Sequence, residues 1–176
     1  IAGGLVAVLP ARAVYAPIPE QDQGKDLTVT LAANILHDSN IFGSARSAVS
    51  STIFEFSPTI AYNASVTDQT FFSFSYKLTV DQYSERPGDK TLDSHDLSAR
   101  LAHAFSPSTT VDIVEDFQTS RNPESLLNGL PVNADQSYRR NELDGHFITG
   151  ITAKIGLDLK ARSVLYKYND ATLGRS

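Results

Sequence analysis

The residues FSPTIAYNASVTDQTFFSFSYKLTV, 56–80, decide the fold. Phe56, Pro58, Ile60, Tyr62 and Ala64 alternate with small or polar residues, and after VTDQT (66–70) the alternation resumes at Phe72, Phe74, Tyr76, Leu78 and Val80. Successive side chains of a strand point to opposite faces, so each half of the stretch places its apolar residues on one side. The connection between the halves is short enough to join antiparallel neighbours, and the stretch therefore predicts a long β-hairpin.

The same pattern extends in both directions. It precedes the hairpin at Leu27, Val29, Leu31, Ala33 and Ile35, and follows it at Leu97, Ala99, Leu101, His103 and Phe105 and at Val111, Ile113, Glu115 and Phe117. Two more segments carry it at Leu143, Gly145, Phe147 and Thr149 and at Leu157, Leu159, Ala161, Ser163 and Leu165. Those 33 positions hold one formal charge, Glu115, whereas the interleaved positions hold twelve: Glu55, Lys77, Asp81, Asp96, Arg100, Asp112, Asp116, Glu142, Asp144, Asp158, Lys160 and Arg162. The prediction is an all-β chain, an antiparallel up-and-down meander of about seven long strands with one apolar and one charged face. Alternation alone fits a sandwich with its apolar face inward as well as a transmembrane barrel with its apolar face outward.

The connections favour the barrel. VTDQT (66–70), FSPST (105–109) and ITAKI (151–155) share one form, an apolar residue followed by a hydroxyl residue, and recur after 39 and then 46 residues. Between them lie longer polar loops, over roughly 37–51, 82–93 and 120–138. Short turns at one end and long loops at the other are the layout of outer-membrane barrels, and strands of roughly 10 to 13 residues suit a tilted crossing of the bilayer. If each short turn has the same three-residue centre, Tyr62 opposes Phe74, Ile60 opposes Tyr76, Leu101 opposes Ile113 and Phe147 opposes Leu159. On the charged face the same register sets Asn63 opposite Ser73, Arg100 opposite Val114 and Ile148 opposite Asp158. Glu115 then falls on the apolar face, where a charge is costly, so either a β-bulge turns it inward, the favoured reading, or it contacts another subunit or strand in place of lipid.

The run IAGGLVAVL (1–9) reads as the remnant of a secretory signal over 1–16, cleaved after Ala13 or after Ala16; Pro17 disfavours the second site. A buried N-terminal element is the alternative reading of that run. Residues 17–25 (PIPEQDQGK) form a polar linker, and 26–176 are expected to be an incomplete barrel, since the chain has no Met and an odd number of predicted strands. No later apolar run approaches a membrane-spanning helix, so strands must make any crossing. A net charge of −5 without a concentrated basic face argues against nucleic acid, and the absence of Cys removes thiol chemistry and cysteine metal sites.

HDSNIF (37–42) after the first strand, YRRN (138–141), and TAK (152–154) leading into IGLDL (155–159) are similar to elements of outer-membrane β-barrel porin families. The resemblance covers roughly residues 25–170. It implies a β-barrel in the bacterial outer membrane, in some members linked to polysaccharide export, and carries over no catalytic residue. Such barrels commonly end on an aromatic residue, whereas this chain ends LGRS (173–176), which adds to the expectation of missing strands.

Several groups invite a chemical reading. Within DSHD (93–96), His95 and Asp96 are strand neighbours that point to opposite faces and cannot pair directly. Asp144 and His146 share the charged face, but no motif marks a nucleophile beside them. HDSN (37–40) could offer ligands to a cation, though a turn capped by Asp and Asn accounts for it better. Asn63 lies in a glycosylation sequon but inside a predicted strand, which removes it as an acceptor. The expectation is a pore or export channel for small solutes or polysaccharide, in contact with outer-membrane lipid and lined by the twelve charged residues. It calls for no enzyme activity, no cofactor and no metal, and is compatible with oligomers. The alternative is a secreted surface-binding or adhesion β-sheet protein; a barrel enzyme ranks third.

Overall fold

The computed structural model describes residues 26–43, 48–121, 126–127, 130–131 and 137–169. The expected signal remnant and linker therefore lie outside the described residues. Seven long strands form one antiparallel sheet: β1 (Leu27–Asp38), β2 (Ser51–Thr67), β3 (Thr70–Tyr83), β4 (Thr91–Ser106), β5 (Thr109–Ser120), β8 (Tyr138–Thr152) and β9 (Ile155–Tyr168). Between β5 and β8, the two-residue strands β6 (Leu126–Leu127) and β7 (Leu130–Pro131) pair with each other. Among the described residues there is no helix. The long strands follow one another in sequence order, so the sheet is a meander, and it is open, with β1 and β9 at its two edges.

The predicted registers hold at all seven pairs. Tyr62 faces Phe74, Ile60 faces Tyr76 and Asn63 faces Ser73; Leu101 faces Ile113 and Arg100 faces Val114; Phe147 faces Leu159 and Ile148 faces Asp158. The turns reach these registers differently from the expected three-residue centre. Each is a two-residue loop, Asp68-Gln69, Pro107-Ser108 or Ala153-Lys154. In each hairpin the ladder shifts register at the strand residue just before the hydroxyl one, at Val66, Phe105 and Ile151, which leaves that residue as a bulge. The repeated hydroxyl has one structural task. Thr67 Oγ1 accepts from the Gln69 amide at 3.2 Å, Ser106 Oγ from the Ser108 amide at 3.3 Å, and Thr152 Oγ1 from the Lys154 amide at 3.2 Å. A hydroxyl that satisfies the amide two residues on closes the turn without help from the rest of the fold. The second turn also packs onto β8: Gly150 donates its amide to the Ser108 carbonyl at 2.8 Å, and a Cβ at Gly150 would come 3.1 Å from Ser108 Cβ.

Burial divides the two faces. All six buried strand residues, Ser51, Ser57, Phe71, Leu92, Ala102 and Glu142, lie on the charged face. On the central strands large apolar residues of the other face stay more open, Phe56 at 48%, Leu101 at 43% and Ile113 at 40% among them, while Ala102 is at 0%; the edge strands β1 and β9 are exposed on both faces. This is the asymmetry of a sheet curled toward its charged side, where neighbouring side chains shelter one another. A soluble sandwich would bury the apolar side instead.

Glu115 departs from the favoured bulge and follows the alternative, a contact with another strand. No bulge turns it inward: it pairs regularly with Ala99 on β4 and Leu143 on β8 and stays on the apolar face between Ile113 and Phe117. The amide of Asn141, which faces Phe117 one step along β8, donates to Glu115 Oε1. A hydrogen-bond donor on the adjacent strand removes the need to redirect the carboxylate.

Candidate functional site

The charged face is the candidate site, and cross-strand pairing brings all twelve predicted residues onto it. Glu55 faces Asp81; Lys77 faces Asp96; Asp112 faces His146, which faces Lys160; Asp116 faces Glu142; and Asp144 faces Arg162. Arg100 sits between Ser73 and Val114, and Asp158 opposes Ile148. Period-two geometry is what gathers them, since a strand without internal bulges keeps one parity along its whole length.

The two arginines of the set are tied to acids. Arg100 Nε donates to Asp112 Oδ1 at 2.8 Å and its Nη2 donates to Oδ2, so this pair is bidentate in the manner that fixes a guanidinium in place. Arg162 Nε lies 2.7 Å from Asp144 Oδ1 and 3.2 Å from Glu142 Oε1. Glu142 also pairs with Arg140, a residue of the same face that lies beyond the stretch of alternation readable in the sequence. These groups border a hollow of about 470 Å³, lined by Asp112, Asp144, His146, Lys160 and Arg162.

Toward the long-loop end the face changes character twice. Across β1 to β3, Asn34 Nδ2 donates to Glu55 Oε1 at 2.7 Å, and Ser57 bridges toward Thr79 at 3.3 Å. Glu55 and Asp81 face each other as like charges, an arrangement that is destabilising in a sheet unless a cation or water screens it. Across β8 and β9 the face is aromatic. Tyr166 and Tyr168 stack with ring centres 6.3 Å apart and an interplanar angle of 14°, Tyr138 packs against both, and Arg140 lies 5.8 Å above the Tyr166 ring. Tyr138 donates its hydroxyl to Gln118 Oε1 at 3.0 Å. The sequence contained a cue to this cluster, three tyrosines at one parity in 138–168, but not the contact between strands.

The chemical candidates are redistributed. His95 and Asp96 do point to opposite faces, as their partners Leu78 and Lys77 require. However, Asp93, two residues before His95 and on the same face, reaches it: His95 Nε2 is 3.1 Å from Asp93 Oδ2, and His95 Nδ1 is 2.7 Å from the Tyr76 hydroxyl. Arg121 extends the chain to Asp93 and Asp89. That pairing follows from the i, i+2 spacing, which places both side chains on one face of the strand. On the charged face His146 bonds Asp158 at 2.8 Å, while Asp144 is committed to Arg162. Asp38 accepts the Asn40 amide at 2.8 Å, so HDSN forms a turn. No family model, curated protein or solved structure matches this chain.

Proposed function

We propose that this chain forms part of a transmembrane β-barrel of the bacterial outer membrane and that solutes or polysaccharide pass along its charged face. The observation that carries the reading is the inverted burial. On the central strands large apolar side chains such as Phe56, Leu101 and Ile113 stay open on one face, while all six buried strand residues, Ser51, Ser57 and Glu142 among them, lie on the charged one, as expected where the outer solvent is lipid and the inner one water.

The stagger of the turns is a second support. His103, level with Thr70 of the first short turn, faces Val111, and β5 continues two residues further, to Thr109. Thr149, level with Thr109, faces Leu157, and β9 begins two residues further, at Ile155. Each short turn is thus displaced by about 6.6 Å along the strands for about 9.6 Å across the sheet. Setting all three turns on one membrane surface requires the strands to lean by about 35°, within the range of membrane barrels. Val66, Phe105 and Ile151, each 63% exposed, then share one level at that surface. In this reading the pairing of β1 and β9 with further strands closes the barrel, lipid is the partner of the apolar face, and the chain acts as a conduit and not as an enzyme.

The experiment is a gel of the full chain purified in detergent, boiled and unboiled. Heat-modifiable migration is the expected result; a monomer freely soluble without detergent would instead favour a surface-binding β-sheet protein. Ion preference gives a further expectation. The twelve residues include eight acids and four bases, and Arg100 and Arg162 are already tied to carboxylates. The reconstituted pore should prefer potassium over chloride at low salt, and Glu55→Gln with Asp81→Asn should weaken that preference, read as a shift of the reversal potential toward zero.

A further inference from the structure

The apolar face ends, at the long loops, in a row of hydrogen-bond donors. His95 on β4 faces Thr119 on β5, Thr119 faces Arg139 on β8, and Arg139 faces Lys167 on β9. The next row on the same face, about 6.6 Å nearer the short turns, runs Leu97, Phe117, Asn141, Leu165. Arg139 and Lys167 are direct cross-strand partners, so their Cβ atoms stand about 5 Å apart and their charges repel. Among the described residues neither forms an ion pair. The carboxylates of this face are engaged elsewhere: Asp89 and Asp93 with Arg121, and Glu115 with Asn141. A hollow of about 380 Å³, bordered by Asp93, His95, Thr119, Arg121 and Arg139, opens on the Arg139 side of the pair, with Asp93 held by Arg121 and His95.

Building on the membrane reading above, we propose that this margin binds the phosphate of an anionic lipid headgroup. Two facing cations without a carboxylate are relieved by an anion set between them, and a guanidinium beside an ammonium suits phosphate oxygens. The row beneath decides between a lipid and a free anion. Leu165 lies directly below Lys167, and Phe117 and Leu97 lie beyond Asn141, which is engaged with Glu115; these three apolar side chains offer the surface on which the acyl chains of the same molecule lie. A bare phosphate would use the first row and leave the second without a role.

The test is native mass spectrometry of the full chain in detergent, offered phosphatidylglycerol or phosphatidylcholine. The chain should retain phosphatidylglycerol preferentially, and Arg139→Gln with Lys167→Gln should lower that retention by about tenfold or more. Lys154→Gln, at the opposite end of the strands, should leave it unchanged. Excess inorganic phosphate should fail to displace the lipid. Both cations lie on the surface, so heat-modifiable migration of the double variant serves as the control for folding. Intact migration with undiminished retention overturns the site alone, and displacement by inorganic phosphate overturns the lipid as its ligand. A wild-type chain that shows no heat-modifiable band overturns the membrane reading and the site with it.

Discussion

Glu115 and Asn141 show how one hydrogen bond places a polar pair on an otherwise apolar face. The carboxylate keeps regular pairing with Ala99 and Leu143, and the donor comes from the adjacent strand. In lipid the pair is worth less than two leucines, because each member is polar, yet removing one leaves the other unsatisfied. Glu115→Leu alone should therefore change stability little, whereas Glu115→Leu with Asn141→Leu should stabilise the protein by about 1–2 kcal/mol. Urea unfolding in phospholipid vesicles checks this, and additive single effects would contradict the coupling. The pairing of Asp93 with His95 carries a parallel lesson about spacing. Residues two apart on a strand share a face, so they, and not immediate neighbours, are the pairs to inspect.

At the scale of the strand, parity along each segment and the turn fix the register together. Thr67, Ser106 and Thr152 close their turns by accepting a local amide, and the bulged residue before each adds the odd position that keeps like faces together. Because the chain contains no Cys, engineered pairs can read the register directly. Leu101→Cys with Ile113→Cys, which face each other, should cross-link on oxidation; Leu101→Cys with Asp112→Cys, which point to opposite faces, should not. Equal cross-linking of both pairs would mean the strands slip. The stagger of the hairpins belongs to this scale too. With the turns level, infrared dichroism of oriented bilayers should report strands leaning about 35° from the membrane normal, and strands found parallel to the normal would break the proposed arrangement.

For the molecule as a whole, the deciding quantity is which face is sheltered. A period-two pattern is blind to this, because it separates two sets of residues without saying which set faces inward. Here the curl shelters Ala102, Ser57 and Glu142 on the charged side and leaves Phe56, Leu101 and Ile113 open on the other. That same charged face gathers Asp112, Asp144, His146, Lys160 and Arg162 around one hollow and Tyr138, Tyr166 and Tyr168 toward the long loops.

What the sequence by itself determined is therefore local and periodic. The alternation at 56–80 and its five companion segments specified strands, faces, the places of the short turns and register, and through them the shared side of all twelve charged residues, because each of these follows from a strict period of two. What only the tertiary structure decided depends on distances between strands and on the direction in which the sheet curls. The regular placement of Glu115 needed Asn141 from β8, and the reach of His146 to Asp158 instead of Asp144 needed the diagonal neighbour on β9. Such contacts join residues far apart in the chain, and no local pattern encodes which long-range partner a side chain will find.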